Sequence, residues 1–303
     1  MQPPKHLLVA LDLEPGGAEL TLSSRRALTE ALVLATEFKT RLDVIHSTGI
    51  ATYEFAESYA LRHEGLSDAG QAVLDGVMGE LEQLEIPGQA LIYEEKPWVA
   101  LTREVEQRGA DLVIVGRRDD EERSGLGRVS KKIVHVVPAE VLVVQGRGAE
   151  QPRPKTIVAA TDLSEVGGLA IGAAALFAKH FSSKLHVIHA FQLTMTEHMS
   201  GRDRAELVKE LATEARSAVA EQIRSTGSSV EAKVHVGCTT PHRAIDEAIE
   251  RYQADLLVLG TTSRGGLANL VIGNVAERVL ETVKTSILAV KPDDFGASKR
   301  PKK

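Results

Sequence analysis

The residues best suited to chemistry in this chain lie in one stretch, Gly260-Thr-Thr-Ser-Arg-Gly-Gly-Leu-Ala-Asn-Leu-Val-Ile-Gly-Asn274. It follows Asp255-Leu-Leu-Val-Leu259, a short apolar run that reads as a strand, and leads into residues 275–283, which read as a helix. A glycine-rich loop between strand and helix presents backbone N–H groups, and the helix dipole adds partial positive charge. The chemistry to expect there is binding of a phosphate. Gly260 lets a ligand approach the backbone, Ser263, Arg264, Gly265 and Gly266 continue the loop, and Arg264 adds a full charge. Asn274-Val-Ala-Glu277 reads as an N-cap followed by its N3 acid. A plain turn and a self-sufficient cap would use the same residues, so the loop alone leaves both readings open.

Asp162, in Thr161-Asp-Leu-Ser-Glu165, closes another strand-like run. A carboxylate disfavours phosphate but can accept from an adenine amino group or a ribose hydroxyl; the alternative is that it caps the helix that follows. Cys238 and His242, in Gly237-Cys-Thr-Thr-Pro-His-Arg-Ala244, are a thiol and an imidazole near enough in sequence to form a nucleophile pair. The competing reading is a strand-to-helix loop with Pro241 at the helix start and His242 solvated, and the sequence supplies no evident orienting acid. His46 and His189 read as packed or hydrogen-bonded residues at strand ends, and no His, Asp or Glu group has metal-ligand spacing.

These residues need a frame, and the chain supplies it twice. Residues 27–47 match 170–190 without a gap: Ala27, Ala31, Ala35, Phe38, Leu42, Val44, Ile45 and His46 recur as Ala170, Ala174, Ala178, Phe181, Leu185, Val187, Ile188 and His189. Residues 110–116 match 254–260, and 141–144 match 287–290. Duplication is the simplest cause. Each half alternates Val/Ile/Leu-rich runs with stretches of helical periodicity. In the second half the strands are expected at 156–161, 184–190, 230–236, 255–260 and 286–290, and the helices at 170–180, 204–225, 242–252 and 275–282. The fold expected is therefore α/β, two doubly wound five-stranded parallel-sheet domains related by internal duplication. Ligands of such sheets sit beyond the carboxyl ends of the strands, where Asp162, His189, Gly237 and Gly260 fall. The domains are expected at 1–147 and 156–292, with a polar, proline-bearing linker at 148–155 and a disordered basic tail at 293–303.

The halves differ at the loop. The first keeps Asp12 but reads Gly116-Arg-Arg-Asp-Asp-Glu-Glu-Arg-Ser-Gly-Leu-Gly-Arg-Val129, shorter by two from strand glycine to pre-helix glycine. Asp119, Asp120, Glu121 and Glu122 stand where phosphate needs donors. Arg128 replaces the asparagine, with Ser130 as a cap one turn later, so the first site is expected to be degenerate towards nucleotide. A net charge of −6 argues against a nucleic-acid partner. No apolar run is long enough for a membrane span, and no secretory segment is evident at the N-terminus. With one cysteine, no internal disulfide is available, and a cytoplasmic location is expected.

Val158-Ala-Ala-Thr-Asp-Leu-Ser-Glu165, Leu185-His-Val-Ile-His-Ala190 and residues 254–291 together resemble the universal stress protein family, and two such domains cover nearly the whole chain. The resemblance implies an adenine nucleotide alpha hydrolase-like, Rossmann-like fold. Nucleotide-binding members carry Gly-x-x-Gly, nine residues, then Gly-Ser or Gly-Thr; here the spacing is kept with Ser263 and Asn274 in place of the second glycine and the final hydroxyl residue. It further implies Thr161 and Asp162 beside adenine and ribose, Val187 against the adenine, Leu259 and Gly260 bordering base and ribose, and Thr262, Ser263, Gly273, Asn274 and Val275 around the phosphates. The ligand implied is ATP, with Mg²⁺, or AMP, in the second domain only. The alternative is a scaffold without nucleotide that acts through protein or other small-ligand contacts. Last-strand pairing in this family implies an intramolecular pseudo-dimer, with a homodimer of two chains as a further option. A stress-response role by binding and signalling, rather than an enzyme, is what the resemblance implies.

Overall fold

In a computed structural model of the chain, residues 2–48, 66–117, 127–145, 153–193, 199–261, 273–292 and 295 are described. Contacts divide the chain into two compact units, residues 3–152 and residues 153–293. In the first, β1 (His6–Leu11), β2 (Arg41–Ser47), β3 (Ala90–Tyr93), β4 (Leu112–Gly116) and β5 (Glu140–Val144) alternate with α1 (Leu22–Phe38), α2 (Asp68–Gln83), α3 (Pro97–Arg108) and α4 (Arg128–Val136). In the second, β6 (Thr156–Ala160), β7 (Lys184–Phe191), β8 (Ala232–Cys238), β9 (Leu256–Gly260) and β10 (Ser286–Val290) alternate with α5 (Glu165–Phe181), α6 (Gly201–Ser225), α7 (Pro241–Tyr252) and α8 (Asn274–Thr282).

Strand order is β3-β2-β1-β4-β5 in one unit and β8-β7-β6-β9-β10 in the other. Within each unit the pairings are parallel. Each sheet is thus wound both ways from its first strand, which opens a crevice at the carboxyl ends of β1 and β4 and of β6 and β9. The central strands are buried on both faces: Leu112–Val115 and Leu256–Leu259 are all buried, which is why their sequences run apolar without alternation. Each fully buried Val, Leu or Ile contributes roughly 1.5–3 kcal/mol relative to exposure.

A close approach fixes the top of both sheets. A Cβ on Gly116 would lie 2.1 Å from the Ser23 carbonyl oxygen, and one on Gly260 would lie 2.7 Å from Val166 Cγ1. The first turn of α1, and likewise of α5, rests directly on the strand end, and only glycine leaves room for it. His46 and His189 hold matching positions as well. The Nδ1 of His46 lies 3.0 Å from the Leu11 carbonyl oxygen, and that of His189 lies 2.9 Å from the Thr161 carbonyl oxygen. Both are buried, hydrogen-bonded histidines that tie the second strand to the end of the first, in line with their reading from sequence.

Lower on the same strands the units differ. Asp43 is fully buried and lies 3.1 Å from His6 Nε2. It also accepts from Arg41 Nε at 2.8 Å and from the Gln89 amide at 3.2 Å. Burial pushes its carboxyl up, but the hydrogen bonds and charges of His6 and Arg41 outweigh burial and hold it below its ordinary value. The gapless match puts His186 at this position in the second unit. His186 Nδ1 lies 3.0 Å from His235 Nε2, and the Tyr252 hydroxyl lies 3.2 Å from His235 Nδ1. The three rings stack, with His186 and Tyr252 centroids 3.9 Å apart. Burial lowers both imidazoles. Positive charge adds to this, from His235, Lys233 and Lys184 at His186, and from Arg251 and Lys233 at His235.

The two clusters respond to acid in different windows. A depressed histidine favours the neutral folded form, so its stabilisation is complete above the unfolded pKa of about 6.5 and is lost as pH falls through it. A depressed aspartate loses its contribution only below about 3.9. On acidification from pH 7.5, amides of β7 and β8 are expected to lose exchange protection as pH falls below about 6.5, while those of β1 and β2 keep theirs to about pH 4. Exchange mass spectrometry, corrected for intrinsic rates, checks this; simultaneous loss in both units would refute it.

Candidate functional site

The site begins where β6 ends. Ser164 is the N-cap of α5, its Oγ accepting from the Gly167 amide at 3.1 Å. Asp162 is therefore not the cap, contrary to one of the two sequence readings. Its Oδ1 instead accepts from the Ser164 amide at 2.9 Å and from the Ser164 hydroxyl. Leu163, between them, adopts a left-handed φ of 67°. This sparsely populated conformation, which costs of order 1 kcal/mol or more, leaves the exposed Asp162 at the rim of the turn. Thr161 Oγ1 accepts from the Leu163 amide at 3.0 Å and donates to Gln222 Oε1 at 2.8 Å.

Gly167 makes that arrangement possible, since a Cβ there would lie 2.5 Å from Thr161 Oγ1 and 3.0 Å from Asp162 Oδ1. The first unit has Ser24 and Leu11 at the matching positions, and Ser24 Oγ accepts from the Asp12 amide at 2.7 Å. Glycine pairs with threonine in one unit and serine with leucine in the other: where the strand residue carries the hydroxyl the helix residue gives up its side chain, and where it does not, the helix residue supplies the hydroxyl.

Beside this turn lies a cavity of about 330 Å³ in the second unit. Its walls are mostly apolar: Ala160, Ile188, Ala190 and Leu259 from the strands, Val166 from α5, and Pro241, Ala244 and Ile245 from α7. Thr161, Asp162 and Ser164 form one polar edge, and Gly273, Asn274 and Val275 lie at another. The volume falls within the range of about 300–1,000 Å³ typical of small-molecule sites.

At that second edge α8 begins with Gly273, not Asn274, in the N-cap position, a residue with no side chain to cap it. Asn274 is the first helical residue, which corrects the capping-box reading. A glycine at the N-cap position brings no side-chain acceptor of its own to the first amide groups of this helix. The same correction holds in the first unit, where Gly127 is the N-cap of α4 without a side-chain bond and Ser130 Oγ donates to the Gly116 carbonyl oxygen at 3.3 Å. The Gly273 amide donates to the Thr261 carbonyl oxygen at 2.9 Å and so joins the two ends of the glycine-rich loop.

Of the residues singled out from sequence, Thr161, Asp162, Leu259, Gly260, Gly273, Asn274 and Val275 all line this one cavity. Thr262, Ser263, Arg264, Gly265 and Gly266 lie outside the described residues, as do Asp119–Glu122 of the first unit. Val187 is fully buried and does not line the cavity; Ile188 and Ala190, on the other face of β7, do. The contribution of α7 and the role of Gln222 escaped the sequence reading. The Thr161–Gly167 and Leu11–Ser24 exchange was the one signal in the repeat that pointed to that turn.

Cys238 is exposed, and no hydrogen bond joins it to His242 among the described residues. The His242 Nε2 lies 3.2 Å from Asp246 Oδ2, one helical turn along α7, so the histidine has an acid partner that sequence spacing did not suggest. Among the described residues no group of three or more His, Cys, Asp or Glu could hold a metal ion, and no helix is long and apolar enough to cross a membrane.

A doubly wound parallel sheet is the architecture of the Rossmann-like α/β class; this chain contains the fold twice, with the described cavity at the switch point of the second unit. Comparison with known proteins places it more narrowly. The universal stress protein family model matches residues 4–145 and again 154–291, and the chain belongs to that family. A universal stress protein of Methanocaldococcus jannaschii is 30% identical over 139 residues, covering 45% of this chain and 82% of that protein. A universal stress protein E homolog of Haemophilus influenzae is 24% identical over 298 residues, covering 88% of this chain and 93% of its own length. Among solved structures, a functionally unknown protein from Pseudomonas aeruginosa PAO1 shares the fold, with a TM-score of 0.73 at 22% identity over 97% of this chain and 95% of that one.

Proposed function

We propose that this universal stress protein acts by binding and signalling rather than by turnover, and that its second unit binds an adenine nucleotide, ATP with Mg²⁺ or AMP. The observation that carries this reading is the placement of opposite chemistries around one cavity. Apolar walls suit a base, Asp162 on one rim suits hydroxyl or amino donors, and the N-terminal end of α8, entered through Gly273, suits phosphate. The first unit, with Leu11 and Ser24 at its turn and four acids in its loop, is proposed not to bind nucleotide.

Acid extraction of the purified protein, with chromatography of what is released, tests this directly, together with calorimetric titration by ATP and AMP. Asp162→Asn keeps an acceptor for Ser164 but removes the charge. It is expected to weaken ATP binding about tenfold, the effect of losing a hydrogen bond to a charged group. If no adenine nucleotide is released and neither nucleotide gives binding heat with the unaltered protein, the reading fails, and a scaffold acting through protein or other small-ligand contacts takes its place.

A further inference from the structure

Gln222 sits in the last turns of α6, far in sequence from the cavity, yet its amide spans the turn that edges it. Its Oε1 accepts from Thr161 Oγ1 at 2.8 Å, and its Nε2 donates to the Ser164 carbonyl oxygen at 2.8 Å. These contacts fall on either side of Asp162 and Leu163. The first orients a hydroxyl, because once the Thr161 proton points to Gln222, its lone pairs face the Leu163 amide, which donates to it at 3.0 Å. The second holds the carbonyl of the residue that caps α5. The left-handed φ of 67° at Leu163 needs such support, since a leucine would otherwise leave that conformation. Beyond this contact α6 is largely exposed; only Ala215 and Val219 are buried along its length.

We propose that Gln222 is a positioning residue for the ligand site. Its side-chain amide holds the Thr161–Ser164 turn in the conformation that presents Asp162 to the cavity, and through it the state of the cavity is coupled to α6. A side chain that reads both edges of a ligand-facing turn makes the exposed helix a sensor of that turn: a ligand that tightens the turn orders the last turns of α6, and a partner that grips α6 alters the turn. The ligand half of this coupling rests on the nucleotide reading above; the positioning half does not.

The test uses the full chain with Gln222→Leu, which keeps the bulk and removes both hydrogen bonds, and Gln222→Glu, which keeps the acceptor for Thr161 and removes the donor to Ser164. Glu221→Ala, on the neighbouring exposed face where Glu221 pairs with Arg224, is the control. Hydrogen exchange without ligand is expected to be about tenfold faster in peptides covering residues 161–168 in Gln222→Leu, intermediate in Gln222→Glu and unchanged in Glu221→Ala, with β9 unaffected in all three. Titration with ATP is expected to be about tenfold weaker in Gln222→Leu, and ATP is expected to protect the end of α6 in the unaltered protein but not in this variant. Exchange in 161–168 that is unchanged, or that rises only along with the whole unit, overturns the positioning role. If the unaltered protein binds no ATP while the exchange pattern holds, the nucleotide reading and the ligand coupling fail and the positioning role stands. If ATP binds equally well to all variants, the coupling is overturned.

Discussion

Replacing Gly116 by alanine is expected to lower the stability of the first unit by about 3 kcal/mol, the upper part of the range for overpacking a filled interior. The added Cβ would lie 2.1 Å from the Ser23 carbonyl oxygen and 2.5 Å from its carbon. Both are backbone atoms of α1 and cannot turn aside, so the helix must lift off the strand end. Gly260→Ala meets Val166 Cγ1 at 2.7 Å and its carbonyl carbon at 3.3 Å, so the second unit should lose less, about 1–2 kcal/mol, and lose cavity shape with it. Gly109→Ala separates crowding from backbone conformation: it has φ 68° but nothing within 4 Å of the added atom, and is expected to lose about 1 kcal/mol. The only tryptophan, Trp98, lies in α3, so urea unfolding followed by its fluorescence reads the first unit. A Gly116→Ala midpoint no lower than that of Gly109→Ala would show that α1 does not rest on the strand as described.

Asp43→Ala carries the second large effect, about 2–3 kcal/mol, again read through Trp98. The substitution leaves the buried His6 imidazole and the Gln89 amide without their acceptor. The Arg41 side chain is 42% exposed and can turn to water, so the loss stays below the value for a fully buried ion pair. The effect has a pH signature. Asp43 contributes as a carboxylate, so the difference between the two proteins should hold at neutral pH and shrink as pH falls below about 4, where the unfolded chain begins to take up the proton that the folded protein still excludes. A difference that persists unchanged at pH 3.5 would mean that packing, not charge, is what Asp43 supplies.

Much of the frame was legible because its cause is local. Continuous Val/Ile/Leu runs announced β6, β7, β9 and β10, and the expected helices at 242–252 and 275–282 start one residue inside the observed ones. The gapless match around His46 and His189 carried over to matching hydrogen bonds. Parts of the site were less legible because they depend on contacts between distant elements. The sequence leaves Asp162 open between ligand and cap, and the fold gives the cap to Ser164. Asn274 matched a capping pattern, yet the chain enters α8 one residue earlier, through a glycine in extended conformation. Gln222 lies among the polar residues of a long exposed helix, and nothing in its neighbours distinguishes it from them. The pairing of His186 with His235 and Tyr252 likewise joins two strands and a helix, and none of the three stands out in sequence.

The hydrogen bond from Gly273 to Thr261 has a consequence for how this protein can change over generations. It fastens the roots of the loop to each other through backbone atoms alone, so this bond itself needs no particular side chain at either root. Chain closed between fixed anchors tolerates added length at small entropic expense, about 0.6 kcal/mol for each doubling. Changes of length between these roots are therefore expected to carry only a small closure cost. The first copy is two residues shorter and strongly charged over the same span, and placing that span on the roots of the second unit is expected to yield a folded chimera.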